Sequence, residues 1–499
     1  MLRRRSSGIL MHVTSLPSPY GVGDFGPEAY RFADFLKAAG QDYWQILPLN
    51  HTTARTGYSP YNCFSAFAGN PMLISPDLLH QDGLLTRAQI SDRPGFSADR
   101  ADYDKVSSYK GRLLDAAFER FRNVGRSPDY DTFKKEHRGW LEPYAEFVAL
   151  RRHFKGQTWT DWPAAIRDRK PDALDSLKAR LGEWMERERF LQYLVYKQYF
   201  ALKRYGNERG LQIAGDIPIY VAHDSADVWS HPEIFKLTGS RKPRFVTGVP
   251  PDYFSETGQL WGNPVYDWQR LRETNFDWWV RRMKHNLFLF DFVRIDHFRG
   301  FIAYWEVPAN HETAMRGKWV QAPHAEFFGE LFRQIPFAAI FAEDLGYITA
   351  DVREVVARYD LPRMSVLHFA FGGDPARNPH LPHNHQENSI ACTGTHDNNT
   401  TRGWFEKDLK GPQRKRLFDY LGRTVSATEI SWELMRVAMS SVARITIIPM
   451  QDVLGLGAEA RMNFPARRGG NWRWRMRPGQ TTARLADRLK KLTETYGRA

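Results

Sequence analysis

The chain has 499 residues, 42% hydrophobic and 25% charged, with 70 Lys and Arg against 57 Asp and Glu for a formal net charge of +13. This composition excludes a disordered, collagenous or coiled-coil protein and supplies the apolar residues for a large core. Aromatic residues reach 14%, more flat apolar surface than a core needs and a first sign of a ligand with faces to stack on. The length allows about three ordinary domains, or one barrel swollen by insertions. The positive charge raises the question of nucleic acid, but its densest clusters, Arg3–Arg5 and the NWRWRMRP run, sit in no recognisable nucleic-acid module and read as solvated faces. Two cysteines, Cys63 and Cys392, cannot form a disulfide framework and fit a reducing cytoplasm. The first residues lack the apolar stretch of a secretory signal, and no run approaches membrane-spanning length.

In chain order, eight runs rich in β-branched and aromatic residues are expected as strands: 8–16 (GILMHVTSL), 43–49 (YWQILPL), 211–221 (LQIAGDIPIYV), 291–298 (DFVRIDHF), 338–345 (AAIFAEDL), 363–371 (RMSVLHFAF), 389–397 (SIACTGTHD) and 444–454 (RITIIPMQDVL). Amphipathic helices are expected between them over 27–39, 268–286, 325–334, 350–359 and 428–440, with another near 482–495. Eight strands alternating with helices predict a closed parallel α/β barrel, one catalytic unit over 1–499. Two intervals interrupt the alternation. Residues 51–210, with helical patterns at 109–123, 144–154 and 172–204, predict a mainly helical subdomain inserted between the second and third strands. Residues 222–264, dense in Pro, Gly and aromatics, predict a smaller insertion.

Function on such a barrel gathers at the C-terminal ends of its strands. There this sequence places Asp216, Arg294, Asp296, Glu343, Asp344, His396, Asp397, Gln451 and Asp452. One Asp at a strand end is most often a helix cap, but acids converging from several strands repel one another, so stability alone explains them poorly. Arg294 and Asp296 are two apart on a strand and point the same way, into the mouth. The arginine favours the ionised carboxylate and so suits a nucleophile. Glu343 follows an apolar run with no basic neighbour in sequence, where desolvation would keep it protonated as a general acid. Two carboxyls tuned in opposite directions are what retaining glycosidic chemistry requires. Asp397 is a third acid, placed to steady an oxocarbenium ion or the sugar hydroxyls.

Two patterns compete with this reading. Gly21, Gly23 and Gly26 spell G-x-G-x-x-G, but Leu16–Tyr20 separates the strand from the first glycine and the next strand ends without the expected acid. His380, His383 and His385 form an H-x-x-H-x-H run with no Cys or acidic partner at ligand spacing, so a histidine-bearing loop is the simpler reading.

The residues resemble the amylomaltase family, 4-α-glucanotransferases also called disproportionating enzymes, over nearly the whole chain. The matching stretches include SGILMHVTSLPSPYGVGDFG, YWQILPLN, SPYNCFSAFAGNPMLIS, GDIPIYVAHDSADVW, GVPPDYFSETGQLWGNPVYDW, VRIDHFRG, AEDLG, GTHDNNTTRGW and QDVLGLGAEARMNFP. The resemblance implies an α-amylase-type (β/α)8 TIM barrel with inserted helical subdomains and no separate C-terminal β-domain. It implies Asp296 as nucleophile, Glu343 as acid/base and Asp397 as transition-state stabiliser, with Arg294 and His396 beside the reacting sugar. It further implies Tyr61 as a stacking platform, Asp216 as a sugar-binding acid, Gln259 and Trp261 on the loop covering the site, and Asn463 on a late substrate loop. The sequence departs from the family's common runs at Asn50-His51-Thr52, at Tyr58-Ser59-Pro60-Tyr61 and at Cys392, a position usually Tyr.

On this reading the loop 248–264, with Tyr253, Phe254 and Trp261, holds the acceptor sugar and shields a covalent intermediate from water. Malto-oligosaccharides, amylose, starch or glycogen are the expected substrates. No cofactor, metal, nucleic acid or membrane is implied, and the sequence carries no signal for an oligomeric state. An α-1,4-glucan hydrolase is the alternative at this point; a catalytically silent glycan-binding protein would have lost one of the acids, and all three are present.

Overall fold

The computed structural model describes residues 4–125, 127–251, 255–346, 348–465, 467 and 469–499. Among them the strands are β1 Ser6–Leu10, β2 Tyr43–Gln45, β3 Gln212–Ile217, β4 Phe245–Val249, β5 Gln259–Pro264, β6 Phe292–Ile295, β7 Ala303–Pro308, β8 Lys318–Gln321, β9 Ile340–Ala342, β10 Arg363–Val366, β11 Ser389–Cys392 and β12 Ile445–Pro449. Eight of them pair in parallel in the order β10-β11-β12-β1-β2-β3-β6-β9. The remaining seam, β9 to β10, is bridged where Ala342 N donates to Pro362 O at 3.0 Å. This is a (β/α)8 barrel, and each of the eight predicted runs supplies one of its strands. The strands are shorter than the apolar runs because the chain turns soon after reaching the rim: β1 ends at Leu10 and a 3-10 turn, Val13–Ser15, follows.

Their sequences explain why these strands lie at the centre. β1, β6, β11 and β12 are buried at every residue, as expected for parallel strands covered on both faces. Gly215 in β3 is needed for the fit, since a Cβ there would lie 2.1 Å from the Phe290 ring. The helices Pro27–Ala38, His324–Gln334, Ala350–Arg358, Ile430–Ser440 and Ala483–Thr495 lie within a residue or two of their predicted bounds. The predicted helix 268–286 is instead two, Trp268–Glu273 and Asp277–Leu289. Asn275 and Phe276 turn left-handed between them (φ 50° and 56°). The break lets Phe276 bury its ring against Phe327, with centroids 5.6 Å apart.

Residues 51–210 carry helices Tyr103–Val124, Pro128–Glu136, Arg138–His153 and Pro171–Asn207, with shorter ones before them. The sequence did not disclose a second sheet, antiparallel, in the order β5-β4-β7-β8. It joins residues that precede β6 to residues that follow it. β4 and β7 are largely buried while the edge strands β5 and β8 are partly exposed, and Gly and Pro fall within β4 and β5 (FVTGV, QLWGNP), so no clean alternation marks them. After β12 the described residues form short helical turns and the terminal helix.

Part of the positive charge works inside this fold. Arg498 donates to the carbonyls of Ser6, Met439, Ser441, Ala443 and Arg444, tying the end of the chain to the start of the barrel. Buried Arg282 likewise donates to the carbonyls of Pro218 and Ile219, and Arg475 to those of Ser18 and Ser97.

The glycine-rich stretch is also structural. A Cβ on Gly23 would lie 2.0 Å from Val13 O, and one on Gly21 would strike the Phe96 ring at 2.4 Å. Within it Asp24 accepts from Lys110 Nζ at 2.9 Å, and the same ammonium donates to Met72 O and Ile74 O. Both side chains are buried, so this pair clasps the first insertion to the barrel. Lys110→Met would strand the carboxylate and should cost about 3–5 kcal/mol, whereas Lys110→Met with Asp24→Asn should recover a large part of that. Denaturant unfolding of both variants checks this; equal stability of the single and double variants would contradict it.

Candidate active site

The site begins with strand register. β3 and β6 pair with Asp216 opposite Arg294, and their side chains meet on the barrel's inner face. Arg294 Nη1 lies 2.7 and 3.0 Å from the two Asp216 oxygens and 2.8 Å from Asp296 Oδ1. Arg294 and Asp216 are almost wholly enclosed, at 4% and 0% side-chain exposure, whereas Asp296 opens to the cleft at 26%. Burial raises the Asp216 pKa against the pull of Arg294, and the nearby Asp296 raises it further.

Glu343 stands one residue beyond β9, as Asp296 stands one beyond β6. The register ends with Ile295 opposite Ala342, and the ladder continues past it as Glu343 N donates to Ile295 O at 3.0 Å. Asp296 and Glu343 therefore occupy the same level on neighbouring strands. Burial pushes the Glu343 carboxyl up to about 7, against the opposing field of Arg294 and the backbone donors. Its oxygens accept from His297 N at 2.8 Å and Leu345 N at 2.9 Å. His297 is a residue that sequence reasoning passed over. Its left-handed backbone (φ 50°) aims its N–H at Glu343, a conformation that costs a non-glycine residue energy and clusters at functional sites. The signal was present in the residue following Asp296, but nothing in sequence shows a backbone angle.

Asp397 comes from the loop after β11. Asp452, expected at a strand end, lies instead in the short helix Met450–Val453 that follows β12; it accepts from Thr393 Oγ1, Thr401 N and Thr401 Oγ1 at 2.6–2.7 Å and so pins both ends of that loop. Asn463 Nδ2 donates to Asp397 Oδ1 at 2.6 Å, and Arg461 holds the Asp397 carbonyl at 2.8 Å. His396 stacks on Tyr61 with ring centroids 4.8 Å apart and 14° between planes. The Tyr61 hydroxyl donates to Asp216 Oδ2 at 2.6 Å. Burial lowers the His396 pKa and raises that of Tyr61, favouring the neutral form of each. Tyr61, Asp216, Arg294, Asp296, Glu343, His396, Asp397 and Asn463 thus converge on one mouth.

β5 forms the far wall. Its pairing with β4 is interrupted by a bulge between Val246 and Gly248, opposite Trp261, Gly262 and Asn263. A bulge bends its strand and re-aims side chains, often beside active sites. Trp261 Nε1 donates to Gln259 Oε1 at 3.3 Å, and the indole meets the His297 ring edge-on at 4.8 Å. Tyr253 and Phe254, expected on the same loop, lie outside the described residues. The three histidines of the H-x-x-H-x-H run diverge: His380 Nδ1 accepts from Val366 N, His383 meets the Tyr420 hydroxyl and His385 the Ser441 hydroxyl. Among the described residues no group of three or more His, Cys, Asp or Glu side chains is arranged to hold a metal ion, and no helix is long and apolar enough to cross a membrane.

Comparison with known proteins agrees with this geometry. The family model described as 4-alpha-glucanotransferase matches residues 11–482. The 4-alpha-glucanotransferase of Aquifex aeolicus is 48% identical over 494 residues, covering 99% of each chain. That of Synechocystis is 47% identical over 506 residues, covering 100% of this chain and 99% of its own. The structure of an amylomaltase from Streptococcus agalactiae in complex with acarbose superposes with a TM-score of 0.96 at 40% identity, covering 99% of this chain and all of that one. The chain belongs to the 4-alpha-glucanotransferase family, glycoside hydrolase family 77, and is a glycosyltransferase acting on α-1,4-glucans.

Proposed function

We propose that Asp296, Glu343 and Asp397 carry the transfer as a retaining double displacement, with malto-oligosaccharides, amylose, starch or glycogen as substrates. Glu343 gives its proton to the glycosidic oxygen as an Asp296 oxygen attacks C1; the glycosidic C–O bond breaks and a glycosyl ester forms. The 4-hydroxyl of an acceptor glucan then attacks C1, its proton passes to Glu343, and the ester bond breaks to return the Asp296 carboxylate. Asp397, fixed by Asn463, faces the positive charge that develops on the sugar ring.

The observation that carries this assignment is the shared level of Asp296 and Glu343. Neighbouring strands run about 4.8 Å apart, close to the spacing of about 5–5.5 Å between the carboxyls of retaining enzymes. Arg294 occupies one oxygen of Asp296, leaving the other directed at the cleft. Asp216, with no exposed side-chain surface, supports the sugar by holding Tyr61 and Arg294 rather than by offering a free oxygen. Gln259 and Trp261 form the cover over the acceptor. The single barrel over 1–499, with 51–210 and 222–264 inserted, frames the cleft between β5 and the loop after β2. A cytoplasmic location goes with this reading: Cys63 and Cys392 are buried and unpaired, and a reducing compartment keeps them so.

Incubation with maltotriose should yield glucose and longer oligosaccharides, and Asp296→Asn should lower turnover at least about 10⁴-fold with folding intact. Substantial residual disproportionation in that variant would remove Asp296 from the nucleophile role.

Glu343→Gln isolates the burial cost. The unfolded chain ionises this glutamate near 4.5, whereas the folded one holds its proton to about 7. The wild type should therefore lose stability as pH rises between those values, because the unfolded state binds fewer protons there. The glutamine variant lacks this term, so its melting temperature should exceed that of the wild type above pH 7 and converge with it near pH 4.5. A difference independent of pH would contradict the burial of an ionisable Glu343.

Trp261→Ala should move the product balance from transfer toward hydrolysis, read as new reducing ends per bond cleaved. An unchanged balance would remove Trp261 from the acceptor side.

A further inference from the structure

The loop that carries His396 and Asp397 leaves β11 at Thr393 and enters a helical turn at Thr401. Both threonines are held by buried side chains that follow the strands on either side of β11. From the β12 side, Asp452 accepts from Thr393 Oγ1 at 2.6 Å and from Thr401 N and Oγ1 at 2.7 Å. From the β10 side, His368 sits in the turn Leu367–Phe369 and grips the same two residues. Its backbone N donates to Thr393 O at 3.2 Å, and its Nε2 lies 3.0 Å from Thr401 Oγ1. The imidazole is wedged in place: it stacks on Trp404 with centroids 4.8 Å apart and 8° between planes, and a Cβ on Gly394 would lie 2.8 Å from its Cε1.

The protons run one way through this cluster. Burial lowers the His368 pKa to about 3, so the ring is neutral. Its Nδ1 has no partner among the described residues, and a proton there would be a buried donor without an acceptor. The proton therefore sits on Nε2 and is donated to Thr401 Oγ1, whose own proton goes to Asp452 Oδ2. Asp452 has no ion-pair partner among the described residues; burial raises its pKa and only the three hydrogen bonds oppose that. A carboxyl buried without a cation costs stability, so a purely structural anchor explains it poorly. The grip reaches Asp397 by a short path. Thr395 N and Oγ1 both donate to Asn398 Oδ1 at 2.9 Å, and Asp397 N donates to Thr395 Oγ1 at 3.2 Å.

We propose that Asp452 and His368 are positioning residues for the transfer reaction: acting through Thr393 and Thr401, they fix the loop so that the Asp397 carboxylate faces the reacting sugar. The inference rests on the reading of Asp397 as the group that steadies the oxocarbenium charge, and extends it to two residues that stand behind the loop. Neither opens to the cleft, with Asp452 1% exposed and His368 8%. Stabilisation of a developing charge depends on groups already in place, and a misplacement of about 1 Å can lower turnover about 10²-fold. The loss falls on kcat, because Asp397 meets the charged ring more strongly than the neutral substrate.

Fluoride release from α-maltotriosyl fluoride, with maltose as acceptor, reads the reaction without a sugar leaving group. Thr401→Val removes the hydroxyl that joins His368 to Asp452 and should lower kcat about 10²-fold, with KM changed by less than about twofold. Thr401→Ser keeps the hydroxyl and should recover most of that loss. In an Asp397→Asn background, Thr401→Val should lower kcat no further, because the carboxylate it positions is already gone. Thr393→Val, which cuts the anchor at the other end of the loop, should follow the same pattern. An unfolded fraction would lower kcat alike in both backgrounds, so an equal loss in both, or no loss in either, would overturn the positioning role. Nitrogen-15 spectra of the histidines should show His368 as the Nε2–H tautomer; the Nδ1–H tautomer would overturn its part in the grip. Wild-type kcat in Asp397→Asn alone would overturn the reading of Asp397 itself, and the positioning with it.

Discussion

One nitrogen, Nη1 of Arg294, lies within 3.0 Å of both oxygens of Asp216 and 2.8 Å from Asp296, in a side chain only 4% exposed. A buried guanidinium is tolerable only with its charge compensated, and here the compensation comes from two different strands. Asp216 is spent on that task and on Tyr61. Asp296 is the member of the trio with an open side. Tyr61 in turn carries His396 on its ring face, and His396 approaches Asp397 at 3.4 Å. The cation thus organises the sugar-facing wall from β3 across to the loop after β11.

The same cation also acts on Glu343. Three carboxyls lie in the field of one buried positive charge, which two of them contact directly. Glu343 feels Arg294 only at a distance, feels the Asp296 charge as repulsion, and pays for desolvation besides. Two backbone donors soften this without cancelling it. The raised Glu343 carboxyl is therefore a consequence of how few compensating charges the barrel mouth contains.

The barrel was legible because its strands are continuous apolar runs ending in polar residues, and the acids were legible because they sit at those ends. Arg294 and Asp296 could be placed on one face from their spacing alone. What escaped the sequence depends on tertiary contact. The antiparallel sheet is built from short strands on either side of β6, and its pairing leaves no periodic mark. The left-handed turn at His297 is invisible without a backbone angle. The split of 268–286 follows from burying Phe276, an apolar residue whose pattern fits an unbroken helix equally well. The charge of +13 looked functionless in sequence; Arg282, Arg475 and Arg498 show some of it bonded to buried carbonyls, work that composition cannot reveal.

The antiparallel sheet also bears on why transfer can compete with water. β5 is its edge strand, so the bulged segment with Trp261 pairs with the sheet on one side only. β4 pairs with β7, and β7 begins just after the Phe298–Phe301 turn that follows Asp296 and His297. The sheet that bears Trp261 is thus anchored to the chain segment that carries Asp296. A water molecule gains nothing from such a wall, since it has no ring face to lay on an indole. An acceptor glucan has such a face, and that binding energy is available while the glycosyl ester waits. Selection of a sugar hydroxyl over water then requires no distinct chemistry at Glu343, only that the acceptor side hold a sugar ring better than it holds solvent.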